Sequence, residues 1–297
     1  MTNIIPTIPM KNILVPTDFS PEAHYAFEVA VHLAQRTGGH VTLLHAVELP
    51  ETTGFSTYGA PVGHDSGMDE IFVPKLLQAI KHRMGVLVAE AAGLAPGVQV
   101  LDFVQAARLG SAIPNVIEHQ HIDLVVMGAQ GHTAAEHFFS GSNTERLVRT
   151  APCPVLVVKH PAGKFDVRTL VFPSDFSAEA DRAVAELRRI QALFPNAALH
   201  LLHVVPSADR RAAALDRIAA FAERHHLGPY APAVVVAASA SVGIPAFAQQ
   251  IAADLVALPT HGRTGLSRFL QASIAENVAT HAFPPVLTFK LAQPEFQ

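Results

Sequence analysis

Glycines recur at a fixed spacing in the segment MGAQGHTAAEHFFSGSNTERL, which spans Met127–Leu147. Gly128, Gly131 and Gly141 give the pattern G-x2-G-x9-G, and Ser142 follows directly. The segment comes after a short apolar run, so the pattern starts at the carboxyl end of a predicted strand. Such a loop brings bare main-chain N–H groups close to a ligand, and phosphate is the group that suits them. A glycine-rich connection without any ligand is the alternative.

A helix is predicted to begin at the end of this loop. Ser142 and Glu145 have the S-x-x-E spacing of a capping box, in which both side chains satisfy free N–H groups. The positive end of the helix dipole then faces the loop and attracts phosphate, and Asn143 and Thr144 add short polar side chains. No lysine lies between Gly128 and Thr144, which excludes a Walker A loop.

The chain contains an internal repeat. The segment ILVPTDFSPEA matches LVFPSDFSAEA, with Asp18 and Asp175 in register, and IDLVVMGAQGH matches ADLVALPTHGR farther along. The offset is 157 at the first of these pairs, 158 where VTLLHAV matches LHLLHVV, and 131 at the later pair. The first half therefore carries about 27 extra residues in its middle. We expect these residues in a loop at Pro50–Phe72. The boundary is expected near His160–Asp166, which gives domains at 1–160 and 166–297.

Each half shows five short apolar runs separated by segments with helical periodicity. In the first half the runs are Ile13–Val15, Val41–Val47, Val98–Val104, Leu124–Met127 and Val155–Val158. Nearly continuous runs of this kind suit parallel strands that are covered on both faces. Ser20 as N-cap and Pro21 at the first helical position predict the start of the first helix. The alternation predicts two doubly wound α/β domains, with ligands beyond the carboxyl ends of the strands.

Composition narrows the class of protein. Of 297 residues, 49% are apolar and 15% charged, which predicts buried cores in two domains and excludes disorder. A net charge of −4 gives no sign of nucleic-acid binding, and one cysteine, Cys153, excludes an intrachain disulfide. We expect no signal peptide and a cytoplasmic protein. The uncharged stretch Ala231–Ala253 contains Pro232 and Pro245, so we interpret it as strand, turn and helix rather than a membrane span.

Seventeen histidines raise the question of a metal site. The local clusters are His119-x-His121, His225-His226 and the segment Gly63–Glu70. None of them has the repeated ligand spacing of a zinc site, so the sequence predicts no metal site.

The chain resembles tandem members of the universal stress protein family. The family's ATP-binding members carry G-x2-G-x9-G-[ST] at this position, and VPTDFS, LLHAV and CPVLVV also look like that family. The resemblance covers nearly all of both halves. It implies a Rossmann-like, five-stranded parallel sheet of strand order 3-2-1-4-5 in each half, with an adenine nucleotide between strands one and four. The implied ligand is ATP, with or without Mg²⁺.

The resemblance also implies a role for individual residues of the first half. The residues at the adenine and ribose end would be Pro16, Thr17, Asp18 and Ala46. Met127 and Gly128 would flank the ribose and phosphates. The phosphates would be surrounded by Gln130, Gly131, Gly141, Ser142, Asn143 and Thr144.

The second half departs from this pattern. Pro259 replaces Gly128, and a proline has no N–H group to offer. Ala272 replaces Gly141, so a Cβ stands where the main chain should approach the ligand. Ser273 and Glu276 keep the capping-box spacing. We therefore predict one nucleotide site per chain, in the first half.

Family members with a single domain pair through their final strands. The resemblance implies that Val155–Val158 lies antiparallel beside Val286–Phe289, which makes one chain an intrachain pseudo-dimer. An uncovered apolar edge of this kind promotes aggregation, so intramolecular pairing protects it. We expect Lys159 and Lys290, at the same repeat position, to stay solvated at the strand ends.

Three functions remain open at this point. The favoured one is a non-catalytic, ATP-binding stress-response regulator that forms homo-oligomers and binds neither nucleic acid nor membrane. A slow ATPase or phosphotransferase is the second, but the loop offers no Lys or Arg before Arg146 to stabilise a γ-phosphate. The third is a ligand-free scaffold that binds metal or apolar molecules through the second half.

Overall fold

The computed structural model describes residues 10–47, 66–129, 141–260 and 268–291, without side chains at 66–72, 141–142 and 268–273. The first half consists of β1 (Asn12–Pro16), α1 (Pro21–Thr37), β2 (His40–Val47), α2 (Ser66–Leu94), β3 (Gln99–Ala106), α3 (Leu109–His119), β4 (Leu124–Gly128), α4 (Gly141–Thr150) and β5 (Val155–Val158). The second half consists of β6 (Thr169–Pro173), a 3₁₀ segment (Ala178–Ala183), α5 (Val184–Leu193), β7 (Ala198–Val205), a 3₁₀ turn (Ala208–Arg210), α6 (Arg211–Arg224), β8 (Ala231–Val236), α7 (Ala240–Gln250), β9 (Leu255–Thr260), α8 (Arg268–His281) and β10 (Val286–Lys290).

All ten strands belong to one sheet, in the order β3-β2-β1-β4-β5-β10-β9-β6-β7-β8. Within each half the strands are parallel and follow the predicted order 3-2-1-4-5. The halves meet where β5 and β10 pair antiparallel, with Leu156 opposite Leu287 and Val157 opposite Val286. The predicted pairing of the final strands is therefore confirmed, and it makes one continuous sheet.

Both faces of this sheet are covered by apolar side chains. Alternate residues of β1 point to opposite faces, so Ile13 and Val15 join one buried cluster and Leu14 joins the other. In β6, Leu170 and Val171 divide in the same way, and each cluster contains residues from both halves. The nearly continuous apolar strands are explained by this two-sided burial.

The extra residues of the first half extend a helix. The sequence predicted a loop at Pro50–Phe72, but α2 begins at Ser66, so that prediction is wrong for 66–72. Residues 48–65 lie outside the described part of the chain. With 29 residues, α2 is about twice as long as its counterpart α6, which has 14.

The start of α1 agrees with the sequence. The Ser20 hydroxyl accepts a hydrogen bond from the Ala23 N–H at 3.2 Å, and Pro21 is the first helical residue, so the predicted cap is confirmed. Ala231–Ala253 forms β8 and α7, also as predicted. In the described ranges no helix is long and apolar enough to cross a membrane.

The lysines at the pairing strands differ from the prediction. Lys159 is 7% exposed and donates a hydrogen bond to the Ala279 carbonyl oxygen, so the expectation that it stays solvated is wrong. Lys290 is half-buried and donates to the Thr150 carbonyl oxygen at 3.0 Å. The antiparallel partner strand brings the last helix of the opposite half over each lysine, which a sequence pattern within one half cannot reveal.

Candidate functional site

The turn after β1 is folded by its own polar side chains. The Thr17 N–H donates to the Leu44 carbonyl oxygen at 2.8 Å, which extends the pairing of β1 with β2 by one residue. The Asp18 carboxylate then accepts from the Ser20 N–H at 2.8 Å, and the Thr17 hydroxyl accepts from the Phe19 N–H at 3.0 Å. Phe19 has a φ of 65°, a left-handed conformation that is uncommon for a residue with a side chain. Asp18 thus has a structural role through one of its oxygens.

The same turn occurs in the second half. The Asp175 carboxylate accepts from the Ser177 N–H at 3.0 Å, and the Ser174 hydroxyl accepts from the Phe176 N–H at 3.1 Å. Phe176 has a φ of 53°, close to the value at Phe19. The aspartate therefore has the same structural role in both halves, and this role explains why Asp175 occurs in the half that has lost the glycine pattern.

A cavity of about 320 Å³ opens at the carboxyl ends of β1 and β2. Three residues predicted for the adenine and ribose end, Thr17, Asp18 and Ala46, lie together in its wall. The cavity also contacts α2, which contributes Ile80 and Arg83. Pro16, the fourth predicted residue, is the last residue of β1 and is buried beside this turn.

Two flat rings and one cation shape this cavity. The Phe19 and His45 rings lie 4.7 Å apart between centres, and the Arg83 guanidinium carbon lies 4.2 Å from the centre of the Phe19 ring. His45 Nδ1 is 2.7 Å from the Thr17 carbonyl oxygen and must carry the proton, because a carbonyl oxygen only accepts. The pKa of His45 lies below its ordinary value, mainly because the ring is buried. The Thr17 carbonyl oxygen and Asp18 oppose this shift, and Arg83 adds to it. The imidazole is therefore neutral at neutral pH.

Arg83 is a site residue that the sequence did not reveal. It belongs to no motif, and its position on α2 gives no sign in the sequence that it faces the ends of β1 and β2. Arg146, which the sequence placed within α4, packs against α3. A Cβ built on Gly110 would lie 2.7 Å from its guanidinium Nη1, so the side chain rests on the first turn of α3. Only the tertiary fold brings Arg83 to the cavity and Arg146 to α3.

Gly128 is required by packing. Met127 is fully buried in β4, and a Cβ built on Gly128 would lie 2.4 Å from the main-chain carbon of Glu22. The first turn of α1 therefore presses against the end of β4 on the side where a side chain would project. Pro259 occupies this position in the second half, and the segment that corresponds to the start of α1 is a 3₁₀ helix there. The loss of glycine and the altered helix start occur together.

The start of α4 differs by one residue from the prediction. The helix begins at Gly141, so Ser142 is its second residue and not its N-cap. Thr144 is fully buried, and its hydroxyl oxygen has no hydrogen-bond partner among the described residues. Asn143 is half-buried in the same turn. Gln130 and Gly131 lie outside the described residues.

The last helix of the second half begins at a different repeat position. It starts at Arg268, so Ser273 lies inside α8 and the predicted capping box is wrong there. Gly141 corresponds to Ala272, four residues after the start of α8. At 1.5 Å per residue, the free N–H groups of α8 are displaced by about 6 Å along the helix relative to those of α4.

The predicted histidine clusters have protein partners. His119 Nδ1 lies 2.8 Å from the Asn115 carbonyl oxygen, and His225 Nε2 lies 2.7 Å from the Asp181 carboxylate. The side chains of Gly63–Glu70 lie outside the described residues. None of these clusters brings three metal-ligating groups together within the described chain.

Comparisons with known proteins agree on one family. The sequence profile of the universal stress protein family matches residues 9–159 and again residues 166–290. A putative universal stress protein of Staphylococcus aureus (strain USA300) is 33% identical over 182 residues, which cover 61% of this chain and 96% of the relative.

Solved structures show the same fold over almost the whole chain. A universal stress protein of Archaeoglobus fulgidus DSM 4304 has a TM-score of 0.71 at 20% identity, with 96% of this chain and 100% of that chain covered. A functionally unknown protein of Pseudomonas aeruginosa PAO1 has a TM-score of 0.60 at 19% identity, with 95% and 93% covered. The chain therefore belongs to the universal stress protein family and carries two copies of its domain.

Proposed function

We propose that the first half binds one adenine nucleotide, ATP, and that the chain is a stress-response regulator whose nucleotide occupancy changes its oligomers or partners. The observation that carries this proposal is the cavity at the ends of β1 and β2, which gathers Thr17, Asp18 and Ala46. Because β4 runs parallel beside β1, the glycine-rich segment after β4 leaves from the same edge of the sheet. Strand order reverses at this point, where doubly wound sheets bind their ligands.

The chemistry of the residues present suits a nucleotide. A cavity of about 320 Å³ is at the lower end of the range for small-molecule sites. Phe19, His45 and Ala46 offer flat or apolar contacts for a base, and the free oxygen of Asp18 can accept from a sugar hydroxyl. The buried Thr144 hydroxyl, unpartnered among the described residues, and the start of α4 at Gly141 are suited to phosphate oxygens.

The same residues give little support to catalysis. Phosphoryl transfer needs a positioned base and cations around the γ-phosphate. Asp18 is committed to the turn through its bond to the Ser20 N–H, and Arg83 lies over Phe19 at the base end of the cavity. Bound ATP would therefore act as a signal that is held rather than consumed.

The second half is not suited to the same ligand. Its corresponding cavity has about 200 Å³ and is lined by Asp175, His203 and Pro259. Pro259 offers no N–H group, and the free N–H groups of α8 begin at Arg268 rather than at Ala272. We therefore expect one nucleotide per chain.

Calorimetric titration of ATP into nucleotide-free protein, with and without Mg²⁺, tests the proposal. We expect one site per chain in the titration, and mass spectrometry of protein purified without added nucleotide should show ATP. Two equivalent sites, or no heat of binding under either condition, would contradict it. Rapid conversion of bound ATP to ADP would favour the enzyme alternative.

A further inference from the structure

Helices α1 and α2 bring one imidazole and two carboxylates together beside the cavity of the first half. His24 and Glu28 are one helical turn apart on α1, and Glu90 approaches them from α2. His24 Nε2 lies 3.1 Å from a Glu90 carboxylate oxygen and 3.6 Å from a Glu28 carboxylate oxygen. One ligand atom from each residue lies within 4.8 Å of the other two.

The charges of this cluster do not balance. Two carboxylates face one imidazole, so a negative charge is left over even when His24 carries its second proton. At the corresponding position of the second half, an acidic side chain is paired with basic side chains. Asp181, which corresponds to His24, lies 2.7 Å from both Arg224 and His225. The cluster itself thus has one carboxylate more than its imidazole can pair with, whereas Asp181 at the corresponding position of the second half is paired with cations.

We propose that His24, Glu28 and Glu90 bind a divalent transition-metal ion, and that Zn²⁺ fits them best. Bonds of about 2.1 Å in a tetrahedral arrangement place ligand atoms about 3.4 Å apart, which the separations of 3.1 and 3.6 Å approach without movement of a helix. Mg²⁺ and Ca²⁺ take oxygen ligands, so the imidazole selects against them.

The site keeps one position open to solvent. The side chains of His24, Glu28 and Glu90 are 35%, 26% and 33% exposed, so water can complete a fourth coordination position. A bound ion would tie α1, whose first turn follows Asp18, to α2, which carries Arg83. It would thus hold together two elements that wall the cavity.

Titration of Zn²⁺ into chelator-treated, nucleotide-free protein tests this site independently of the nucleotide proposal. We expect one strong site per chain that Mg²⁺ does not occupy. Glu90→Gln keeps the shape of the side chain and removes a ligand charge, and it should weaken Zn²⁺ binding by at least about 10–100-fold, the loss that even an outer-shell partner causes. Glu28→Gln should act in the same direction.

The matched control is His119→Gln, which removes an exposed histidine at the end of α3. It should bind Zn²⁺ like the unchanged protein. Circular dichroism of each metal-free variant verifies that the fold is retained. The proposal is overturned if the unchanged protein has no strong Zn²⁺ site, if Glu90→Gln and Glu28→Gln bind as tightly as it does, or if His119→Gln loses binding equally.

Discussion

The side-chain nitrogen of Lys159, from the last strand of the first half, donates a hydrogen bond to the carbonyl oxygen of Ala279, in the last helix of the second half. Lys290 makes the reciprocal bond to Thr150, in the last helix of the first half. Each cation thus meets the negative end of a helix dipole across the pseudo-two-fold axis. The two halves are connected by crossed side-chain contacts as well as by the sheet.

Burial of Lys159 makes the stability of the chain pH-dependent. Burial lowers the pKa of Lys159 to about 8 from an ordinary value of 10.5. Between these values the unfolded chain binds more protons than the folded chain, so stability increases with pH and is lost as the pH falls toward 8. Between pH 8 and 10.5, we expect the unfolding free energy of the unchanged protein to increase by about 3 kcal/mol more than that of Lys159→Met. Urea unfolding at a series of pH values measures both.

Lys164→Met is the control variant, because it removes an exposed lysine between the two halves. It should follow the unchanged protein over the same pH range. Parallel pH curves for Lys159→Met and the unchanged protein would show that Lys159 is not buried as described.

A substitution at the start of α4 tests where the nucleotide binds. Gly141→Val should abolish ATP binding, because a branched side chain would stand where the helix start approaches the phosphates. Valine costs less than about 1 kcal/mol in a helix, so we expect the fold to persist. Ala272→Val, at the matching position of the second half, should leave the affinity unchanged in calorimetry. Retained binding in Gly141→Val would rule out this location.

The contact between Gly128 and α1 predicts a loss of stability. In Gly128→Ala the new Cβ would meet the main chain at Glu22 and Ala23, and neither can yield as a flexible side chain would. We expect a loss of about 1–3 kcal/mol in unfolding free energy. Gly85→Ala is the control, since its Cβ meets nothing within 4 Å on α2, and it should stabilise by up to about 1 kcal/mol. Equal effects of the two variants would refute the packing role.

Hydrogen exchange tests the joint between the halves. The main-chain amides of β5 and β10 should exchange as slowly as those of β1, because all three strands lie inside the sheet. The edge strands β3 and β8 serve as the comparison and should exchange faster. Exchange of β5 and β10 at the rate of the edge strands would mean that the antiparallel pairing is not formed in solution.

Local signals predicted most of the architecture. The strands are continuous apolar runs, and Ser20 and Pro21 mark a helix start, so both can be interpreted without knowledge of distant residues. Residues that depend on distant contacts were missed. Arg83 reaches the cavity and Glu90 reaches His24 only because α2 packs beside α1 and the ends of β1 and β2, and Lys159 is buried only because the second half covers it.

Two patterns were ambiguous for physical reasons. A glycine at the end of β4 serves close packing of α1 as well as approach to a phosphate, and the pattern at Gly128 does not separate the two. The S-x-x-E spacing also occurs inside helices, where its residues lie on one face. The spacing predicts a cap at both Ser142 and Ser273, although α4 begins at Gly141 and α8 begins five residues before Ser273.

The pairing of β5 with β10 has a consequence during synthesis. About 130 residues separate the two strands along the chain, and at ribosomal rates of 5–20 residues per second they emerge on the order of ten seconds apart. Throughout that interval the newly made first half presents β5 as an uncovered apolar edge to its neighbours on the polysome. In the finished protein, β10 covers the edge of β5. Until β10 has been made, a chaperone or some other cover is needed to prevent β5 from pairing with another copy of the chain.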